Sequence, residues 1–462
     1  MNGAVAAGAP PANPILSAPV LPTLLRLALP NLAAMLAATL VAVAETVYVG
    51  RLGTAPLAAI ALVFPLVMLM QMLSAGAMGG GVSSAISRAL GGGDRARAEQ
   101  LAVHACVIGL LVGSAFSVLF ATLAEPLLRL LGGRGAVLEQ AVIYARVALA
   151  AAVLTWMLNT LASIVRGTGD MRVPSAALLA AAGLQVAVGG GLGLGIGSFA
   201  GYGIAGVAAG LAVAYAIAAG FLLWFLCSGR ARITLRLRPV TLSTDMFLDI
   251  LKVGAVSALS PLQTTLTVLI LTALAARFGT TTLAGYGIGA RLEFLLVPIV
   301  FAVGVAAVPM VGMAIGARDV ARARRVAWTA AGVAVAVLGI VGLTVTAVPG
   351  AWSGLFTQDR AVRAAADLYL VWAGPGFAFL GLGLSLYFAS QGSGRMLPPV
   401  LAGMARLLVI GAGGVALVAA DAPAWALFAL VAASMVAYGL STAAAVYLTR
   451  WGPPSGLTRR PA

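Results

Sequence analysis

Long apolar runs alternate with short polar loops from residue 21 to residue 448. The runs lie at 21–50, 57–88, 98–123, 137–165, 174–196, 202–226, 247–275, 283–314, 327–348, 364–389, 400–419 and 424–448. Within each run the apolar residues do not keep to one stripe; they cover every face. A helix apolar all round belongs in lipid or in a large interior, and about 20 residues suffice to cross the hydrocarbon layer. The pattern therefore predicts an all-α polytopic membrane protein with twelve transmembrane helices.

The first run organises the rest. Between Arg26 and Arg51 its only ionisable side chain near neutral pH is Glu45. A carboxylate in hydrocarbon is costly and marks a functional position by default. Glu45 stands roughly 8 Å from the end of its helix at 1.5 Å per residue, in the outer half of the bilayer. Pro30 lies in the same run. It removes one intrahelical hydrogen bond, so a kink or hinge is expected there.

An internal repeat sets the architecture. Ala89-Leu90-Gly91, Asp94 and Arg97-Ala98 recur as Ala314-Ile315-Gly316, Asp319 and Arg322-Ala323, 225 positions later. At the same displacement Gly167, Gly169 and Pro174 recur as Gly392, Gly394 and Pro399, and Ala136-Val137 and Tyr144 as Ala361-Val362 and Tyr369. Arg51-Leu52-Gly53-Thr54 recurs as Arg277-Phe278-Gly279-Thr280 with one residue of slippage. Six spans follow in each half with the same polarity, so the repeats are parallel. Two pseudo-symmetric six-helix lobes are expected, facing each other across an axis along the membrane normal with a substrate cleft between them. The division is a disordered tail at 1–20, an N-lobe at 21–228, a basic cytoplasmic linker at 229–244, a C-lobe at 245–449 and a cytoplasmic tail at 450–462.

Composition agrees with a membrane protein. Hydrophobic residues make up 61% of the 462 and charged residues 9%, with a mean hydropathy of +1.06. Soluble domains carry about 25% charged residues. The net charge of +15 is explained by the flanks of the spans, so no nucleic-acid partner is expected. About 20 of the Lys and Arg fall on one side and about seven on the other, which places both termini in the cytoplasm. Among the embedded residues Arg291 is read as the one deep cation. Cys106 and Cys227 lie in apolar runs, which argues against a disulfide or a metal site, and with His104 the single histidine, also in an apolar run, histidine-based metal chemistry and a Ser-His triad have little support. His104 is expected to pack between helices.

Taken together, these residues resemble the multidrug and toxic compound extrusion (MATE) transporters. The likeness rests on Pro30, the run from Glu45 through Gly53, the Ala89-Leu90-Gly91-Gly92-Gly93-Asp94 loop and the Arg166-Gly167-Thr168-Gly169-Asp170 loop. In the second half Arg291-Leu292-Glu293 and Ala314-Ile315-Gly316-Ala317 carry it. The resemblance implies twelve helices in two lobes and export of organic cations or other drugs against a proton or sodium gradient. The family usually has Asp where this chain has Glu45. The predicted fifth span has only Gln185 in place of an acid, and the seventh and tenth carry acids only near their ends, Asp249 and Asp367. The pattern is closer to the proton-coupled DinF-like branch than to a sodium-coupled one.

Candidate residues follow. Low dielectric penalises an ionised carboxylate, so a proton and a cationic compound would compete for Glu45, which suffices for antiport. Glu293 lies near midplane in the eighth span and is a second candidate for touching substrate. Its alternative role is a structural ion pair with Arg291 or with another charge within the C-lobe. Asn159, Gln185 and Gln263, with Gln71 and Thr264, are embedded polar groups that line the cleft or join helices. Tyr48, Tyr202, Tyr286 and Tyr387 could face flat cations; for Tyr48 and Tyr202 interfacial anchoring is the simpler role. Gly189-Gly190-Gly191 lies inside a span and reads as close helix packing. The expected function is secondary antiport of amphipathic cationic drugs or metabolites against protons, without a cofactor, by a monomer in a bacterial inner membrane. The rivals are sodium-coupled export, a lipid-linked precursor flippase and an intramembrane enzyme, the last lacking any catalytic dyad at depth.

Overall fold

The computed structural model describes residues 14–452 except 197–198 and 237–240. The expected tail at 1–13 and the terminal residues 453–462 lie outside the described residues, as do 237–240 of the linker. The chain is helical almost throughout. Its helices are α1 (Pro14–Ser17), α2 (Val20–Gly50), α3 (Thr54–Gln71), α4 (Gly79–Gly91), α5 (Arg95–Leu130), α6 (Gly135–Ala150), α7 (Ala152–Gly167), α8 (Arg172–Leu194) and α9 (Gly203–Cys227) in the first half. The second half has α10 (Thr244–Ser257), α11 (Leu259–Arg277), α12 (Thr280–Gly316), α13 (Val320–Ala347), α14 (Gly350–Ser353), α15 (Arg360–Ala373), α16 (Phe377–Ser393), α17 (Leu397–Ala419) and α18 (Ala424–Leu448). A π-helical turn at Met72–Met78 joins α3 to α4, and a two-stranded ribbon, β1 (Gly195–Ile196) with β2 (Phe199–Ala200), joins α8 to α9.

Among the described residues 11 helical stretches are long and apolar enough to cross a membrane, and α6 with α7, bent by 42°, makes up to 12. The order of spans is the order expected from the apolar runs. Exposed Leu36, Leu40, Val43, Leu111, Val118, Ile340 and Leu408 give the outside the apolar coat that lipid requires.

The repeat is structural as well as sequential. Asp94 caps α5 by accepting from the Arg97 amide at 2.8 Å, and Asp319 caps α13 by accepting from the Arg322 amide at 2.8 Å. Their backbone angles agree, at φ −90°, ψ 79° and φ −89°, ψ 76°. An aspartate at this position satisfies a free amide of the first helical turn.

One expectation changes. Part of the 1–20 segment is ordered. Pro14–Ser17 is a helical turn, and the Ile15 carbonyl accepts from Arg322 Nε at 3.1 Å and Nη2 at 2.7 Å. Ile15 fills the space beside Gly169 and is 5% exposed, because an apolar side chain there covers the seam between the halves. In the basic linker Ala231, Ile233 and Leu235 are buried in the N-lobe core while Arg230 and Arg236 point outward.

The first spanning helix serves both halves. Leu24 and Ala28 of α2 pack with Val303, Ala306 and Met310 of α12. Tyr48 and Val49 of the same helix belong to the N-lobe core. Pro30 falls between these two sections, inside one continuous helix.

Candidate functional site

The loops Gly92–Asp94, 168–171, 317–319 and 394–396 share one face of the bundle, which we call the arginine-rich face. On this side the halves meet backbone to backbone. A Cβ added to Gly91 would stand 2.1 Å from the Met313 carbonyl oxygen, and one added to Gly316 would stand 2.0 Å from that of Arg88. Only glycine allows α4 and α12 to approach so closely. Polar bonds complete the seam. Ser84 Oγ donates to the Gln391 carbonyl, and Gln391 Nε2 donates to the Gly76 carbonyl at 3.0 Å and to Ser257 Oγ at 3.2 Å. Asp249 sits between two arginines, 2.7 Å from Arg88 Nη2 and 3.1 Å from Arg97 Nη2. The seam closes the inter-lobe cleft toward the arginine-rich face.

Within the cleft lie two neighbouring cavities of about 410 and 150 Å³, which share Met72, Gly76 and Phe301 in their walls. The larger is lined by Asn31 and Glu45 of α2, Gln71, Tyr144, Asn159, Arg166, Gln185 and Tyr215 among others. Glu45 is held from two helices. Tyr144 of α6 donates its hydroxyl to Oε1 at 3.0 Å, and Gln185 of α8 donates Nε2 to Oε2 at 3.3 Å. Such bonds to a carboxylate are stronger than neutral ones and fix its orientation.

A second network continues from it. Asn159 Nδ2 donates to Gln71 Oε1 and to Ser74 Oγ, both at 2.8 Å, and Gln71 Nε2 donates to the Tyr215 hydroxyl at 3.0 Å. Gln71 ends α3 where the helix widens into the π turn, a feature that often marks functional sites. Asn159 and Gln185 thus both border the cavity that contains Glu45, and each also links helices. Their amide groups satisfy buried partners and face the cleft at once.

The smaller cavity belongs to the C-lobe. Glu293, Tyr286, Gln263, Thr264, Tyr387, Arg406 and Tyr438 line it. Tyr369 donates its hydroxyl to Glu293 Oε1. Gln263 Nε2 donates to the Val400 carbonyl at 3.1 Å, so it joins α11 to α17 while facing the cavity.

Several expectations are corrected here. Arg291 does not pair with Glu293; it is exposed and its guanidinium lies 5.4 Å from the Phe356 ring. Two positions apart on a helix, the side chains point to different faces. Nor is Arg291 the one deep cation, because Arg406 lies within α17 and borders the cavity. Tyr48 is not an interfacial anchor. It is 8% exposed in the N-lobe core, whereas Tyr202 is exposed. Tyr286 and Tyr387 do face the C-lobe cavity.

Other expectations hold. His104 is buried, its Nδ1 2.8 Å from the Gln100 carbonyl and its Nε2 accepting from the Ser243 amide at 2.9 Å. Gly189 packs against Gly210, where an added Cβ would stand 2.2 Å from the Gly189 Cα. The residues missed by sequence reasoning are Tyr144, Tyr215, Tyr369 and Arg406. The repeat already aligned Tyr144 with Tyr369, and Arg406 was visible as a charge inside an apolar run.

Comparison with known proteins agrees with this arrangement. The MatE family model matches residues 30–190 and 257–417, one match in each half. The chain is 26% identical over 311 residues to an FAD transporter of Shewanella oneidensis, covering 67% of this chain and 69% of that protein. It is 24% identical over 399 residues to the multidrug export protein MepA of Staphylococcus aureus, covering 83% and 85%. Among solved structures it resembles a MOP-superfamily transporter of Pyrococcus furiosus, with a TM-score of 0.85, 24% identity and coverage of 93% and 95%. A multidrug-resistance MATE transporter in its outward-facing conformation matches with a TM-score of 0.82, 24% identity and coverage of 94% and 96%. Two matched repeats, 11 to 12 spans among the described residues and a polar cleft between two lobes converge on one assignment: the chain belongs to the MATE family of membrane transporters and is not an enzyme.

Proposed function

We propose that this transporter exports small amphipathic cationic compounds in exchange for protons, and that Glu45 is the group for which proton and substrate compete. The observation that carries this reading is the placement of Glu45. It is a carboxyl group of α2 that borders a 410 Å³ cavity and is oriented by Tyr144 and Gln185. A charge buried in this way is retained where it meets a substrate or ion. Its two oxygens face an O–H and an N–H donor rather than further carboxylates, which suits proton exchange and the DinF-like branch better than a sodium cage.

Asn159, Gln185, Gln263 and Glu293 then line the substrate path. The switch is bending of α2 at Pro30, where the helix passes from C-lobe to N-lobe packing. The lobes rock about the cleft, and the sealed arginine-rich face is cytoplasmic. Both termini lie on that side of a bacterial inner membrane, and the protein works as a monomer. The similarity to MepA and to the Shewanella FAD transporter supports a small organic cargo.

The test is transport in proteoliposomes. Export of tetraphenylphosphonium should follow an imposed proton gradient, ignore a sodium gradient and fail in Glu45→Gln. Undiminished proton-driven export by Glu45→Gln would overturn the assignment of Glu45.

A further inference from the structure

Arg406 lies nine residues into α17, roughly 14 Å along the helix at 1.5 Å per residue. Its Nε is buried without a hydrogen-bond partner among the described residues. Neither Arg406 nor Glu293 takes part in the ion pairs found within 4.0 Å among those residues, and the Glu293 carboxyl is engaged by Tyr369 instead. A guanidinium at such depth is costly unless water or an anion meets it. The 150 Å³ cavity that Arg406 borders also presents Tyr286 and Tyr438, which bring hydroxyl donors.

Arg166 borders the larger cavity and also has an unpartnered Nε. It belongs to the last turn of α7, however, where the free carbonyl ends of the helix offset its charge. Arg406 lies in the middle of α17, away from the carbonyl ends of its helix, and Glu293 is the acid that shares its cavity without closing an ion pair with it.

We propose that Arg406 is a binding residue for the anionic group of the transported molecule, a carboxylate or phosphate oxyanion that enters the C-lobe cavity. The planar fork of arginine matches two oxygens of either group. A substrate with a cationic part toward Glu45 and an oxyanion toward Arg406 would occupy both cavities, which join at Met72, Gly76 and Phe301. This rests on the export reading only in taking the occupant to be the exported molecule.

The experiment is equilibrium binding to the full-length protein in phosphatidylcholine nanodiscs, with two matched pairs of probes. Rhodamine 110 against its methyl ester, rhodamine 123, isolates a carboxylate. Flavin mononucleotide against riboflavin isolates a phosphate. In at least one pair the anionic member should bind at least about tenfold more tightly, the value of a charge-assisted hydrogen bond. Arg406→Gln should remove that preference and leave binding of the other member unchanged. Arg406→Lys should keep part of it, and Glu293→Gln should tighten the anionic member by removing a nearby acid.

Equal binding within both pairs overturns the proposal, as does a preference that survives in Arg406→Gln or disappears in Arg166→Gln alone. Should Arg406→Gln not fold, Glu293→Gln decides, and a failure to tighten overturns it. Binding needs no gradient. A failure of proton-driven export would therefore leave this result standing, and equal binding would leave the export reading standing.

Discussion

Tyr144 and Tyr369 occupy the same position in the two repeats, 225 residues apart, and each donates its hydroxyl to the buried glutamate of its own lobe. The acids themselves are not repeat mates. Glu45 comes from the first span of its lobe and Glu293 from the second span of the other. An equivalent tyrosine therefore holds a carboxyl group that arrives from a different helix. This pseudo-symmetry gives the N-lobe a carboxyl group beside a large cavity and the C-lobe a carboxyl group beside an arginine.

The two tyrosines should separate under mutation. Tyr144→Phe removes a bond to Glu45, and a hydrogen bond to a charged group is worth about 1.5–3 kcal/mol, so the apparent affinity for tetraphenylphosphonium should fall by about tenfold or more. Tyr369→Phe should change it by less than about twofold, a loss of about 0.4 kcal/mol or less, since Tyr369 holds the carboxyl group of the C-lobe cavity and not the one for which this cation competes with a proton. Binding titrations on both variants check this.

The seam on the arginine-rich face should be sensitive to single atoms. Leucine at Gly316 would drive carbon into the Arg88 carbonyl, so Gly316→Leu should expose α4 and α12 to a water-soluble thiol reagent at an introduced cysteine. A Ser87→Cys, Gly312→Cys pair in a background without Cys106 and Cys227 places the two sulfur-bearing carbons next to each other. Its oxidation should stop transport, and reduction should restore it.

Asp249 holds Arg88 and Arg97 together. Asp249→Asn leaves two like charges facing each other with no counter-ion, a partly buried arrangement that costs about 1–3 kcal/mol. The expected outcome is a shift toward a state open at the arginine-rich face, read by cysteine labelling at Ser84→Cys. Arg88→Gln combined with Asp249→Asn should recover part of the closed population.

Pro30 interrupts the hydrogen-bond ladder of α2 where the helix changes partners. Pro30→Ala restores the missing donor and should raise the melting temperature of the purified protein while slowing turnover, because proline inside a helix costs about 3 kcal/mol or more. Turnover in proteoliposomes and thermal unfolding of the same preparation give both readings.

Hydropathy decided the number of spans and their order, and the internal repeat decided the two parallel halves. The reason is that a backbone in lipid must satisfy its own polar groups, so each apolar run can only be a helix. Glu45 and Glu293 were legible for the same reason: a charge in an apolar run announces itself. The partners of those charges were not legible. Which helix faces which is set by side-chain packing between residues far apart in the chain, such as Gly91 on Met313 or Asn159 on Gln71. Without it Arg291, two positions from Glu293, looked like its counter-ion, and Arg406, more than a hundred positions away, did not. Only the packed helices turn Arg291 outward to Phe356 and bring Arg406 to the same cavity as Glu293.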